Sequence, residues 1–265
     1  MPSKTVDNIK KVLVIAGYDP SGGAGILRDL KTIHSLGGFA LCVPTCLTIQ
    51  DTQKVYKVYK IDKKVVKENL ETILLDCKID AVKIGVLYSK EIINIVYDTI
   101  KKYNLKNIVL DPVIYPSSGT FLLEESALED LKILISQCDL ITPNIPEAEI
   151  LSGMKIKDID DMKNSAQNLR ELGAKAVIIK GGHLEGEDAI DILLENDKFY
   201  VETCKKINAE REVHGTGCTF SSAMATFLAM NYDYYHAFVK ARKYITEAIK
   251  SSINIGKGKR IISLH

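Results

Sequence analysis

The chain has 265 residues, 46% hydrophobic and 26% charged, with a formal net charge of +1. That near-neutral balance excludes the basic footprint of a nucleic-acid binder and any strong pull toward an anionic membrane. A globular chain of this length buries roughly 70–75% of its unfolded surface, so it needs no disulfide or metal staple.

The N-terminal "MPSKTVDNIKK" is polar, with no signal-type apolar core, and no apolar run reaches the roughly 18 residues of a membrane span. The cysteines, at 42, 46, 77, 138, 204 and 218, lack zinc-site spacing, and several lie in apolar runs. They read as reduced thiols of a cytoplasmic protein.

In chain order, "KVLVIAG" (11–17) reads as a buried strand, and Ile26, Leu27, Leu30 and Ile33 mark one face of a helix over 24–36. "FALCVPTCLT" (39–48) predicts a second strand, followed by a helix over 62–76, the strand "DAVKIG" (80–85) and a helix from about Ser89. The strands "NIVLD", "CDLIT" and "AKAVIIKGG" come next. "DAIDILLEN" and "DKFYVET" meet at Asn196-Asp197, the signal of an antiparallel hairpin at one edge. Helices over 217–230 and 233–252 complete the chain, the first with Phe220, Met224, Phe227 and Leu228 as its buried stripe. Strands alternating with long helices predict a single α/β domain over 1–265, with a mostly parallel sheet flanked by helices on both faces.

In such sheets ligands bind outside the carboxyl ends of the strands. Four strands here end in "AGYDPSGGAG", "LDPV", "TPNIPEAE" and "KGG". The glycine loop is neither a dinucleotide fingerprint, because Arg28 stands where a third glycine belongs, nor a P-loop. It is either a bare structural turn or a place of close ligand approach. Asp111 is either a loop cap or a Mg²⁺ or water ligand. Asn144 and Glu147 have capping-box spacing, yet add two oxygen donors at an adjacent strand end.

In "HGTGCTFSSAMATFLA", Gly215, Thr216, Gly217 and Cys218 open the helix over 217–230. Free N–H groups and the helix dipole make that end an anion site suited to a phosphoryl group. The same field favours a thiolate at Cys218, which would serve as a base. His214 reads as a hydrogen-bonding turn residue.

The strings "IAGYDPSGGAGILRDLKT", "AVKIGVL", "VLDPV", "ITPNIPEAEIL", "IKGGH" and "HGTGCTFSSAMATFLA" resemble, in order, the hydroxymethylpyrimidine/phosphomethylpyrimidine kinases of thiamine biosynthesis, in the ribokinase-like superfamily. The resemblance runs from about Lys11 to Lys250. It implies ATP and Mg²⁺ as cofactors, hydroxymethylpyrimidine and its phosphate as substrates, and a homodimer. Cys218 would be the base and Gly215, Thr216 and Gly217 the anion hole. Asp111 and Glu147 would organise Mg²⁺, with Asn144, Lys180 and Gly182 meeting the nucleotide. Gln50 would face the pyrimidine edge, and Gly17, Asp19, Gly22, Gly23 and Val86 would line the remaining substrate pocket.

Three positions depart from the family pattern: Asp51 after Gln50, "IYPSSG" (114–119) without the usual lysine before Ser-Gly, and Val213 in place of threonine. A pyridoxine, pyridoxal or pyridoxamine kinase is the alternative within the superfamily, and the lack of cysteine over 114–119 speaks against it. A non-catalytic pyrimidine sensor is the alternative from another class, and retention of Asp111, Glu147, Lys180 and Cys218 speaks against that.

Overall fold

A computed structural model describes residues 9–114, 122–182, 186–207 and 211–263. Nine strands form one sheet: β1 Lys11–Tyr18, β2 Phe39–Gln50, β3 Val55–Lys60, β4 Ala81–Ile84, β5 Ile108–Leu110, β6 Leu140–Ile141, β7 Ala176–Lys180, β8 Asp188–Glu195 and β9 Lys198–Lys205. Their spatial order is β3-β2-β1-β4-β5-β6-β7-β8-β9. The six from β2 to β7 run parallel, while β3 at one edge and β8 toward the other run against them, and β9 turns back antiparallel to β8.

Parallel strands covered on both faces alternate which core they feed. Leu13 and Ile15 of β1 enter one core and Val12, Val14 and Ala16 the other. The first core is closed by α2 Lys63–Asp76, α3 Lys90–Tyr103, α4 Leu128–Ile135, α5 Ile145–Ser152 and α6 Ile159–Glu171. The second is closed by α1 Gly25–Ser35, α7 Thr216–Ala229 and α8 Tyr234–Lys250. A short parallel pair, β10 Val213–His214 and β11 Arg260–Ile261, ties the end of the chain to the segment entering α7.

The predicted hairpin forms at β8–β9, with Asn196 (φ 46°) and Asp197 (φ 62°) both left-handed, as a two-residue turn between twisted strands requires. The run 55–60, to which the sequence pattern assigns no strand, is β3. Its text "VYKVYK" repeats every third residue, which masks the alternation of a strand. Helix α7 is buried from Thr219 to Thr226 on nearly every side, between the sheet and the helices α1 and α8. The expected stripe is therefore corrected: Phe220, Met224 and Leu228 are buried, but Phe227 is half-buried and packs edge-on against Tyr232. Among the described residues, no helix is long and apolar enough to cross a membrane.

β1 lies between β2 and β4, so the order of connection reverses there, and the crevice at such a reversal is where α/β sheets bind ligands. The β1–β2 register slips between Ala16 and Tyr18, placing Gly17 at an irregularity on the edge of that crevice.

Candidate active site

A cleft of about 550 Å³ opens over the carboxyl ends of the parallel strands. Gly17, Asp19, Gln50, Val86, Asp111, Asn144, Glu147, Lys180, Gly182 and the run 215–218 all line it. A second cavity of about 360 Å³ lies alongside, walled by Ala189, Ile207, Phe220, Ile245 and Ile249. The two share Asn144, Lys180, Gly182, Thr216 and Gly217. The common wall therefore carries a lysine and the N-terminus of α7.

That N-terminus is built by steric exclusion. Gly215 caps α7 in the left-handed conformation (φ 81°), and a Cβ on it would sit 1.7 Å from the Gly23 carbonyl oxygen. No side chain caps the helix, so its first N–H groups keep their donor capacity for an anion. A Cβ at Gly217 would lie 3.2 Å from Lys180 Nζ and 3.4 Å from Asp111 Oδ2, which places the helix end directly against that ion pair.

Lys180, at the end of β7, donates from Nζ to Asp111 Oδ1 at 2.8 Å. Burial pulls the Lys180 ammonium down, but Asp111 and Glu147 outweigh it and hold the group above the ordinary lysine range. Asn144 and Glu147 form a complete capping box at the start of α5, each side chain accepting from the other's backbone N–H at 2.9 Å. Burial pushes the Glu147 carboxyl up to about 8, with Lys180 opposing and Asp111 adding to the rise. Both readings of this pair hold at once: a cap by geometry, and a carboxylate beside Asp111 and Lys180 by position.

Among the described residues, no three His, Cys, Asp or Glu side chains gather into a metal cage. Asp111 Oδ2 accepts from the Ser221 hydroxyl at 3.4 Å, and Glu147 is a second hard oxygen donor nearby. Two acidic side chains beside an uncapped helix end fit Mg²⁺, which usually keeps waters and takes one or two protein carboxylates with substrate phosphates.

Cys218 corrects an expectation. Burial pushes its thiol up to about 12; Lys83 pulls it down, Asp29 and Asp111 push it further up, and the Gly25 N–H pulls it down again. The helix field does not outweigh burial, so the free protein carries a neutral thiol rather than a thiolate.

Gly22 and Gly23 do not line the cleft. A Cβ at Gly23 would lie 2.4 Å from His214 Cδ2 and 2.5 Å from Ile261 Cδ1, so this glycine admits the strand that leads into α7. Asp19 organises the same loop: Oδ1 accepts from Ser21 N–H and Oδ2 from Ala24 N–H, both at 2.8 Å. Of the glycine pair at the end of β7, Gly182 is exposed at the rim. Gly181 is the position that tolerates no side chain, since its Cβ would lie 1.9 Å from the Ile190 carbonyl oxygen.

The departure at Asp51 is resolved by its partners, which belong to the β2–β3 turn. Val213 forms β10, and the departure at Ser117 falls outside the described residues.

The sequence reading missed a buried ion pair. Lys83 Nζ of β4 donates to Asp29 Oδ2 of α1 at 2.8 Å, both side chains 0% exposed, and Ser222 of α7 donates to Asp29 Oδ1 at 2.7 Å. A lysine inside the fully buried strand "AVKI" was the available signal, because a buried ammonium requires a partner.

A family model described as phosphomethylpyrimidine kinase matches residues 19–263. The chain belongs to that family. The hydroxymethylpyrimidine/phosphomethylpyrimidine kinase of Aquifex aeolicus is 49% identical over 251 residues, covering 94% of this chain and 98% of that protein. A crystal structure of phosphomethylpyrimidine kinase from Clostridium difficile superposes with a TM-score of 0.81 at 43% identity, covering 91% of this chain and 99% of the other. An ADP complex of Bacillus subtilis pyridoxal kinase superposes with a TM-score of 0.87 at 35% identity, covering 97% and 98%. Membership in the phosphomethylpyrimidine kinase family makes the chain a phosphotransferase.

Proposed function

We propose that this chain transfers the γ-phosphoryl group of ATP to the hydroxymethyl oxygen of 4-amino-5-hydroxymethyl-2-methylpyrimidine, and then adds a second phosphate to the monophosphate for thiamine biosynthesis. The observation that carries this reading is the wall shared by the two cavities. An acceptor in the larger cleft and a nucleotide in the smaller one would meet at the wall made by Asn144, Lys180, Gly182 and the α7 N-terminus.

Phosphoryl transfer passes through a loose transition state, so positioning and charge stabilisation outweigh covalent chemistry. The N–H groups at Thr216, Gly217 and Cys218 face the equatorial oxygens of the transferring group, and Lys180 adds a fixed positive charge. Asp111 and Glu147 would hold Mg²⁺, which would supply positive charge to the phosphates. In this reading Cys218 acts as the thiolate, which burial disfavours in the free protein. Its sulfur takes the proton of the attacking hydroxyl while that oxygen bonds to the γ-phosphorus and the bond from the phosphorus to ADP breaks. Gln50 meets the pyrimidine edge, and Gly17 keeps the pocket wall flat, since a Cβ there would press on Cys46 Sγ and Val86.

Pyridoxal is the competing substrate, favoured by the likeness to the Bacillus subtilis enzyme and opposed by the lack of cysteine over 114–119. The working form is a homodimer in the cytoplasm, which suits six unpaired cysteines and an exposed apolar face on β2 and β3.

The test is ADP release with ATP, Mg²⁺ and hydroxymethylpyrimidine. Release that depends on the pyrimidine is expected, with Cys218→Ala lowering kcat by about 10²-fold, the scale of a lost general base, and Cys218→Asp retaining more activity than Ala. Pyrimidine binding without ADP release would instead make the protein a sensor.

A further inference from the structure

The Gln50 side chain lies between two sets of partners whose protons can be counted. At one end His214 Nε2 is 3.0 Å from Asp19 Oδ2 and 3.0 Å from Gln50 Nε2. At the other, Thr48 Oγ1 donates to the Tyr18 carbonyl at 3.0 Å and lies 3.2 Å from Gln50 Oε1.

Burial pushes the Asp19 carboxyl up, but the His214 and Ser21 hydrogen bonds outweigh it and leave the group below the usual range. At neutral pH Asp19 is therefore an acceptor only, and the 3.0 Å contact needs its proton on His214 Nε2. That nitrogen then has no lone pair left. With Gln50 Nε2 against it, donor faces donor. With Oε1 against Thr48, whose single proton goes to Tyr18, acceptor faces acceptor. Turning the amide by 180° removes both clashes, because the oxygen then shares the His214 Nε2 proton with Asp19 Oδ2 in a three-centre bond and the NH₂ donates to Thr48. The amide's two ends have nearly the same shape, so partners rather than packing decide its orientation.

We propose that His214 is a positioning residue that locks the Gln50 amide in this turned orientation and so sets the donor–acceptor order offered to the substrate ring. The proposal rests on the reading that Gln50 meets the pyrimidine edge. The amide's free lone pair lies on the His214 side and its free N–H on the Thr48 side. A ring bearing an amino group next to a ring nitrogen matches that order in one orientation, with the amino group toward His214. In hydroxymethylpyrimidine the hydroxymethyl carbon is the amino group's neighbour on the ring. The lock therefore turns the reacting oxygen toward the side on which the chain runs from His214 into Gly215 and the α7 end. A 4-oxo ring, with a carbonyl beside a ring N–H, offers the inverse order and meets two mismatches.

The experiment compares kcat/KM for the 4-amino and 4-oxo rings in wild type, His214→Phe, His214→Asn and His214→Gln. The wild type should prefer the amino ring by at least about tenfold, since a site built to pair polar groups rejects the mismatched analogue strongly. His214→Phe keeps a flat ring against Gly23 but removes the Nε2 proton, and should lose most of that preference with the KM for ATP unchanged. His214→Asn, too short to place an N–H at the Nε2 position, should behave alike and serves if the Phe variant does not fold. His214→Gln, which can place an N–H there, should keep the preference. Wild-type selectivity in folded His214→Phe or His214→Asn would overturn the proposal. Failure of the wild type to turn over the amino ring at all would overturn the pyrimidine reading instead.

Discussion

Asp51 sits next to Gln50, yet its carboxylate is spent on the backbone. Oδ1 accepts from the N–H groups of Gln53 at 2.7 Å and Lys54 at 3.0 Å, and Oδ2 from the Tyr56 hydroxyl at 2.9 Å. Those bonds, Lys54 and Gln53 first, hold the Asp51 carboxyl down at about 2. A carboxyl held below its unfolded value of about 3.9 stabilises the turn at higher pH, and that contribution is lost as pH falls from about 4 toward 2. The amide resonances of Gln53 and Lys54 should titrate with a midpoint near 2. Asp51→Asn should abolish the titration and leave kcat at pH 7 within about twofold, since an amide oxygen serves the same turn. A midpoint near 4 would show that the turn bonds do not form in solution. The side chain next to Gln50 is thus explained by local hydrogen bonding within the β2–β3 turn.

At the scale of elements, Lys83, Asp29 and Ser222 fasten β4, α1 and α7 to one another beneath the site. Lys83→Met leaves a buried carboxylate without its cation and should cost about 3–5 kcal/mol in urea unfolding, the usual penalty for breaking such a pair. The double variant Lys83→Met/Asp29→Leu should recover most of that stability, because two apolar side chains need no partner. Equal loss in single and double variants would mean that the pair contributes through packing alone. Elements of this kind divide by how local their signals are. β1, β4, β5 and β7 were legible because strands buried on both faces read as apolar runs, and the β8–β9 hairpin because Asn-Asp supplies its turn. The start of α7 was legible because glycines next to an apolar helix declare it. β3 was hidden by its three-residue repeat. The contacts of His214 with Asp19 and Gln50 span 195 and 164 residues, and β10 pairs with β11 through Val213 and Arg260, with all of α7 and α8 between them. No local pattern encodes such pairs. The Cys218 thiolate failed as an expectation because a helix dipole is visible in sequence whereas burial is not.

On the scale of the whole molecule, the sheet brings strand ends far apart in sequence to one crevice, and the α7 N-terminus stands in the wall shared by the cleft and its neighbouring cavity. The far edge carries a different signal. Leu47, Ile49 and Tyr59 are 44%, 54% and 47% exposed, with Leu47 and Tyr59 opposite each other in the β2–β3 register. Such a patch fits the proposed homodimer, and sedimentation velocity should show a dimer that Leu47→Glu converts to monomer. A monomeric wild type would contradict it. The central claim is the identity of the phosphoryl acceptor. It is tested most directly by mass spectrometry of the products formed from ATP, Mg²⁺ and an equimolar mixture of hydroxymethylpyrimidine and pyridoxal. Mono- and diphosphorylated pyrimidine, with pyridoxal phosphate forming much more slowly, is the predicted result. Rapid pyridoxal phosphate with no pyrimidine diphosphate would contradict it and assign the same scaffold to vitamin B6 salvage.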